Sequence, residues 1–261
     1  MALCGAALML VNNVSAQSTK QGMATVVRIQ GEARYSVGDN VWHPLVPGKT
    51  LGAGAVIQTA ADSTVDLVMG PVPVQVSYPG ATTASAGLAT APDPNVRGYV
   101  VYNPKVSQNV IRMFGNTVLA VDKLSVSDTG VDAVGDTELD LRAGKIFGTV
   151  KKISAMSQFE VKIPDGVAGI RGTTFTISAN GTCFVLKGSV VLSFVSNGHT
   201  MTQEMSAGQK FNPQSASQPV SFLPSDKSYL GALSQMVPTF FPGSNIFVKD
   251  FTKCHVSPVQ G

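Results

Sequence analysis

Aspartates, histidines and cysteines are the residues of this chain that could do chemistry. The aspartates recur at every fourth position in one segment, as Asp128, Asp132, Asp136 and Asp140. Carboxylates bind calcium, but a calcium site needs about six to eight oxygen ligands at tighter spacing than this. Gly135 within the segment also favours a solvated loop. We therefore predict no metal site here.

The histidines and serines form no catalytic pattern. His43, His199 and His255 lie far apart in the sequence. The chain contains no Gly-x-Ser-x-Gly, His-Glu-x-x-His, phosphate-loop, Gly-x-Gly-x-x-Gly or Cys-x-x-Cys string, which are the marks of common catalytic, metal and nucleotide sites. We predict that the protein is not an enzyme and uses no cofactor.

The first residues, 1–16, are typical of a signal peptide. Their apolar run, 2–11, is too short to span a bilayer as a helix, and Val14-Ser15-Ala16 resembles a cleavage site. The alternative is an apolar N-terminal helix of a cytosolic protein. No later apolar run is long enough to cross a membrane. We expect export to the periplasm, the cell surface or the medium.

Export would leave two cysteines, Cys183 and Cys254, in an oxidising compartment. A disulfide between them would close a loop of about 70 residues and stabilise the fold by roughly 4 kcal/mol in the chain-entropy model. The alternative is two separate thiols, one within a strand and one in the C-terminal tail.

A low charge content limits the possible partners. Charged residues make up 13% of the 261 residues, about half the usual share. The 19 basic and 16 acidic side chains are spread along the chain and give a net charge of +3. No basic run is dense enough to match a phosphate backbone, which argues against a nucleic-acid partner.

The elements that must position any site are strands. In Gln158–Ile163 the apolar residues Phe159, Val161 and Ile163 alternate with polar ones, which predicts a strand with one buried face. Val190–Val195 is apolar on both faces and is typical of a central strand. We predict an all-β, twisted antiparallel double sheet with few helices; a short β-solenoid is the alternative.

Glycines divide the second half of the chain into short segments. Gly181, Gly188, Gly198 and Gly208 predict a meander of strands at 182–187, 189–196, 199–205 and 209–212. Asn180-Gly181 and Asn197-Gly198 are typical of type I′ hairpin turns, which need positive φ at both central residues.

The most specific segment is Gln158–Phe175, QFEVKIPDGVAGIRGTTF. A strand stops at Pro164-Asp165-Gly166, a turn sequence. Gly169 and Gly172 then bracket Arg171, which predicts a tight backbone path with one long cation at its corner.

This string resembles the signature of the FecR domain, an exported bacterial module. The matching residues are Pro164, Gly166, Ala168, Arg171, Gly172, Thr173 and Phe175, with Ile163 in place of the family's threonine. Segments 26–36, 55–70, 138–152 and 185–194 also resemble the family, so the resemblance covers about 24–212. It implies a scaffold rather than a chemistry.

Arg171 stands in an apolar stretch, so we expect it to be partly buried. A buried guanidinium needs several acceptors. We predict that it hydrogen-bonds carbonyls of a neighbouring turn, or the carboxylate of Asp165, and that it holds the fold.

Residues 71–115 form a predicted insertion rich in proline, alanine and threonine. It carries three of the five tyrosines, Tyr78, Tyr99 and Tyr102. A tolerated surface loop is one interpretation; the other is a partner-binding loop that displays rigid tyrosines.

The extension at 213–261 is rich in proline and serine but too apolar for a plain disordered tail. A short helix is predicted at 226–236. The extension either docks on the domain or binds a partner.

The resemblance implies an exported standalone FecR-domain protein, without the cytoplasmic segment and membrane-spanning helix of the family's sigma-factor regulators. We predict a non-catalytic binding or sensing module of the bacterial cell envelope that binds a protein partner or ligand. The alternative is a structural envelope component that binds peptidoglycan or polysaccharide, or self-associates.

Overall fold

The computed structural model describes residues 19–39, 41–77, 99–102, 108–128, 133–151 and 154–236. The predicted signal peptide at 1–16, and the residues Tyr78, Asp132, Cys254 and His255, lie outside the described residues.

Strands dominate the described part of the chain, which confirms the predicted all-β class. In chain order the strands are β1 (Thr19–Gln21), β2 (Ala24–Gln30), β3 (Ala33–Ser36), β4 (His43–Pro44), β5 (Thr50–Leu51), β6 (Val56–Thr59), β7 (Thr64–Met69), β8 (Val74–Ser77), β9 (Tyr99–Tyr102), β10 (Val110–Met113), β11 (Val118–Asp128), β12 (Ala133–Ala143), β13 (Lys145–Thr149), β14 (Gln158–Ile163), β15 (Gly166–Ser178), β16 (Cys183–Ser196), β17 (His199–Ser206), β18 (Gln209–Phe211) and β19 (Val220–Ser221). A 3-10 turn, Pro224–Asp226, leads into the helix α1 (Lys227–Met236).

The strands build two layers that belong to one hydrogen-bonded network. The first layer has the order β5-β2-β7-β10-β13, and the second has the order β4-β3-β6-β11-β12-β14. β15 and β16 are long enough to take part in both: β15 pairs with β14 at its start and with β13 at its end. The double sheet is therefore a single sheet that curls over its own core.

One pairing differs from the predicted antiparallel pattern. β12 and β14 run parallel, with Asp136 opposite Gln158 and Asp140 opposite Lys162. The physical reason is the position of β13, which lies in the other layer between β10 and β15. The chain thus re-enters the second layer in the direction of β12, by a crossover rather than a hairpin.

The core lies between the two layers. Leu67 and Ile111 of the first layer and Leu139 and Val161 of the second belong to one cluster and are fully buried. The predicted alternation in β14 is confirmed, since Phe159, Val161 and Ile163 are buried while Lys162 is 45% exposed. Burial of this apolar surface is the main stabilising contribution to the fold.

The outer face of the first layer is also covered. Val27, Val68, Val110 and Phe147 point away from the main core and form a second cluster with Leu233 of α1. The Lys210 ammonium donates to the Asp226 carboxylate at 2.9 Å just before the helix. The described part of the C-terminal extension therefore docks on the domain, and its helix falls inside the predicted range.

The predicted insertion is too long at its C-terminal end. β10 lies within 71–115, yet it is a central strand between β7 and β13, with Val110, Ile111 and Met113 fully buried. The surface part is narrower: β8 and β9 form a separate two-stranded pair. The sequence did not predict β10 for two reasons. A strand of four residues gives a weak periodic signal, and the segment before it is rich in proline.

The predicted break at Gly188 is wrong, because β16 runs through it without a turn. Gly188 has φ of 81° and lies inside the strand, where the register against β15 shifts. The turn at Asn197-Gly198 has positive φ at both residues, as predicted, whereas Asn180 does not share the positive φ of Gly181. Among described residues, no helix is long and apolar enough to cross a membrane.

Candidate functional site

The motif of residues 166–175 forms the corner at which β15 passes from one layer to the other. Residues 166–169 pair with β14, and residues 174–178 pair with β13. Between them the register against β16 shifts, so that Gly172 and Thr173 lie opposite the single residue Gly188. This is a β-bulge, a device that bends a strand and increases its twist.

Two glycines and one threonine fix the corner. Gly172 has φ of 64°, which favours glycine. A Cβ at Gly188 would meet the Gly172 carbonyl oxygen, so only glycine allows the two strands to approach here. The buried Thr173 hydroxyl donates to the Ser189 carbonyl at 2.6 Å and shares that hydrogen with the Arg171 carbonyl at 3.0 Å, so this buried polar group is paired at the bulge.

Phe175 joins the corner to the core. Its ring is fully buried and lies against Gly148 of β13, where an added Cβ would come within 2.6 Å of the ring. Val150, just after β13, donates its amide to the Thr173 carbonyl at 2.8 Å. β13 is therefore held against the corner by both packing and a hydrogen bond.

The other two motif glycines have different roles from those their sequence suggests. Gly166 does not have positive φ; it is required because a Cβ would collide with the Ser193 carbonyl oxygen. Pro164 and Asp165 alone form the turn between β14 and β15. At Gly169 a Cβ would find its nearest neighbour at 3.8 Å, an ordinary contact.

Arg171 is exposed, so the predicted burial is wrong. The structure shows no hydrogen bond or ion pair from its guanidinium to Asp165 or to a turn carbonyl. The reason is the pleat: Ile170 points into the core, so its neighbour Arg171 points out. Thr173, rather than Arg171, makes the hydrogen bonds that hold the corner.

Cys183 is fully buried in the main core, where β16 pairs with β15 and β18. Burial raises the pKa of its thiol to about 12, which makes it unreactive as a thiolate. Cys254 lies outside the described residues, so the disulfide stays a prediction.

Tyr102 does not project from the surface. It packs against the second cluster, with its hydroxyl beside Gly48, and burial raises the pKa of that hydroxyl. Tyr99 lies in β9, and only its backbone is described. Tyr102 is therefore not displayed for a partner, whereas Tyr78 and the side chain of Tyr99 lie outside what the structure describes, so a partner-binding role for the insertion stays untested.

The described aspartates of the segment, Asp128, Asp136 and Asp140, lie in strands rather than in the predicted loop. Asp136 and Asp140 lie on β12, which pairs with β11 along most of its length. Asp136 forms an ion pair with Lys123, and the Arg142 guanidinium donates to Asp140 at 2.7 Å. Within the described ranges, no group of three or more His, Cys, Asp or Glu side chains could hold a metal ion.

Asp66, Arg28 and Arg112 form a buried ionic group that the sequence did not predict. Asp66 is 1% exposed and lies between Arg28 on β2 and Arg112 on β10. Arg28 donates to it at 2.7 Å, and Arg112 donates twice, at 2.6 and 2.8 Å. Burial raises the pKa of Asp66 to about 6, and the Arg28 guanidinium opposes that rise. The signal in the sequence was a single charged residue in each of three otherwise uncharged strands.

An open groove is lined by residues of β3, β4 and β6 and of the loops beside them. Its volume is about 860 Å³. Trp42 lies in it and is 41% exposed, beside the exposed Val41 and Val46. The Arg34 guanidinium covers the indole at 4.5 Å from the ring centroid and donates to the Gln58 side chain at 2.9 Å.

The groove combines an aromatic platform with mixed polar groups. Glu32, Arg34, His43 and Asn116 line it together with two prolines. The cation–π contact and the Gln58 hydrogen bond restrict Arg34 and, through it, the indole. An exposed tryptophan that is held in place is the type of side chain that anchors protein contacts. No sequence motif marked this groove, because its lining comes from four separate segments.

The described strands define a β scaffold with open clefts on its surface. Residues 103–191 match the family model for FecR, described as FecR protein. This confirms the predicted resemblance over that segment, which contains the whole motif; the match does not extend to residues 24–102 or 192–212.

Comparison with solved structures gives a weaker similarity. A protein from Parabacteroides distasonis, provisionally described as an anti-sigma factor, aligns over 52% of this chain and 68% of its own, at 9% identity and a TM-score of 0.35. That score is too low to establish a shared fold. No curated protein matches the chain.

Proposed function

We propose that the protein is an exported, non-catalytic component of a bacterial cell envelope, and that its FecR-like domain binds a protein partner as a sensing or binding module. The observation that carries this proposal is the groove around Trp42. Exposed apolar patches rimmed by polar residues mark interaction sites on soluble proteins. The match to the FecR family supports a regulatory module.

The argument for a protein partner rests on the composition of the groove. Trp42, Val41 and Val46 supply apolar area that is exposed in the isolated chain. Glu32 and Arg34 place both signs of charge around it, which favours a partner with polar groups of both kinds over a simple ion. Tryptophan and arginine are enriched among residues that dominate binding energy.

Site-specific photo-crosslinking in intact cells tests the partner. A photoreactive residue in place of Val46 should crosslink one protein, whereas the same residue in place of the exposed Val220 should not. Trp42→Ala should abolish the product. Equal crosslinking from both positions, or a product unaffected by Trp42→Ala, would contradict the proposal.

Export has its own measurement. Mass spectrometry of protein purified from the envelope or medium should find a mature chain that begins at Gln17. Full-length protein confined to the cytoplasm would contradict export.

A structural envelope role is the second candidate. Trp42 beside Gln58 and Asn116 offers an aromatic face together with two amides, groups that can stack on and hydrogen-bond a polysaccharide. Retention on isolated sacculi that is lost in Trp42→Ala would favour this role over a protein partner.

A further inference from the structure

A second cleft opens between the two layers, beside the corner of β15. Its volume is about 310 Å³. The apolar side chains of Leu124, Val150, Phe159 and Ile170 line its interior, and each belongs to the buried core with only a small exposed fraction. The cleft is therefore an apolar slot that reaches from solvent into the edge of the core.

Cations line the cleft. Arg171 and Lys151 are the charged side chains among its described lining residues, and that lining includes no Asp or Glu. Burial lowers the pKa of Lys151, and the nearby Lys187 lowers it further. The groove around Trp42 differs in this respect, because its lining includes Glu32 as well as Arg34.

The corner of β15 holds the backbone of Arg171 in place. The fold fixes the backbone on both sides of this residue, through the buried Ile170 and the Thr173 hydrogen bonds. The guanidinium itself is exposed at the cleft. A rigid backbone that presents a long cation at an apolar opening is suited to binding an anion.

We propose that this cleft binds an anionic amphiphile: a molecule with one carboxylate or phosphate head group and a short apolar chain. The head group lies on the exposed Arg171, on the side of the cleft that also carries Lys151, and the chain enters the slot toward Phe159 and Ile170. The volume fits a small ligand and is too small for a segment of folded protein. Charge complementarity and the apolar interior together define this ligand class.

Calorimetric titration of the purified protein with octanoate tests the proposal. Octanoate should bind more tightly than hexanoate, by about fourfold for each methylene that leaves water. Acetate, which lacks the chain, and 1-octanol, which lacks the charge, should each bind at least tenfold more weakly. Octyl phosphate in a parallel titration identifies which head group is preferred, and binding of either anion supports the ligand class.

Variants separate the site from an unspecific effect. Arg171→Gln should weaken octanoate binding at least tenfold with an unchanged melting temperature, and Arg171→Lys should retain part of the affinity. Arg142→Gln removes the same charge at an exposed position outside the cleft lining and should bind like the wild type. Trp42→Ala should also leave octanoate binding unchanged. The outcome of this test is therefore independent of the outcome for the groove around Trp42.

Three results would overturn the proposal. They are absence of binding by both octanoate and octyl phosphate at millimolar concentration, binding of 1-octanol equal to that of the tighter-binding anion, and wild-type affinity for that anion in Arg171→Gln.

Discussion

The outer face of the first layer and the corner of β15 place arginine in opposite environments. Arg28 and Arg112 lie on strands that face a covered surface, and both are tied to the buried Asp66. Arg171 lies within the motif of residues 166–175 and is exposed. Apolar neighbours in the sequence therefore do not decide whether a side chain is buried. Burial depends on which face of the sheet the side chain points to, and on whether other segments pack against that face.

The cover comes from segments that are distant in sequence. Leu233 of α1 and Tyr102 of β9 both pack against the outer face of the first layer. Nothing comparable covers Arg171 among the described residues. The buried ion group therefore belongs to the stability of the molecule, and the exposed cation is available for contact with other molecules.

Removal of the Asp66 charge is expected to have the largest effect. Asp66→Asn leaves two largely buried guanidiniums without their shared carboxylate, and breaking such a group costs about 3–5 kcal/mol. Denaturant unfolding of the variant measures the loss. Asp140→Asn, which breaks a more exposed pair with Arg142, should cost less than about 1 kcal/mol. Equal losses would erase the contrast between the two environments.

Gly188→Ala tests whether the close approach of β16 to the Gly172 carbonyl of β15 is required at the corner. The positive φ costs about 1–2 kcal/mol for a residue with a Cβ, and the collision with the Gly172 carbonyl adds about 1–3 kcal/mol. Gly198→Ala is a matched control, since its φ of 77° is similar and a Cβ there would meet nothing within 4 Å. Both variants are compared by thermal unfolding. A Gly188→Ala loss no greater than that of Gly198→Ala would contradict the close approach.

Thr173→Val asks whether the hydroxyl holds the corner. The change keeps the shape and removes the donor to the Ser189 carbonyl, which should cost about 1–3 kcal/mol. Thr202→Val is the comparison, because the Thr202 hydroxyl contacts Ser193 on an exposed surface; its loss should be within about 0.5 kcal/mol. If the two variants unfold at the same denaturant concentration, the corner does not depend on this hydrogen bond.

Local patterns predicted the local structure well. The alternation of β14 and the positive φ at Asn197-Gly198 need only neighbouring residues, and the structure agrees with both. Gly188 depends on Gly172, a cross-strand partner 16 residues away. The Asp66 group needs the register of three strands, β2, β7 and β10. Neither could be predicted from the pattern within one strand.

The candidate sites were harder to predict than the fold for the same reason. The motif was found because its residues are contiguous, and its role as a corner follows from pairing with two different strands. The groove around Trp42 is assembled from four segments, and each of them alone has the composition of an ordinary strand end or turn. Sites of this kind appear only when the strand order is known.

Arg171→Ala is expected to have the smallest effect on stability, within about 0.5 kcal/mol of wild type, because exposed side chains away from caps and networks contribute little. Its backbone is fixed by neighbours on both sides, so the corner should keep its geometry without the guanidinium. Equilibrium unfolding in urea measures this, with Thr173→Val as the variant that does perturb the corner. A loss above about 2 kcal/mol would show that the guanidinium supports the fold after all. Unchanged stability would show that the guanidinium of this motif residue does not hold the fold, which is what its proposed contact with a ligand at the cleft requires.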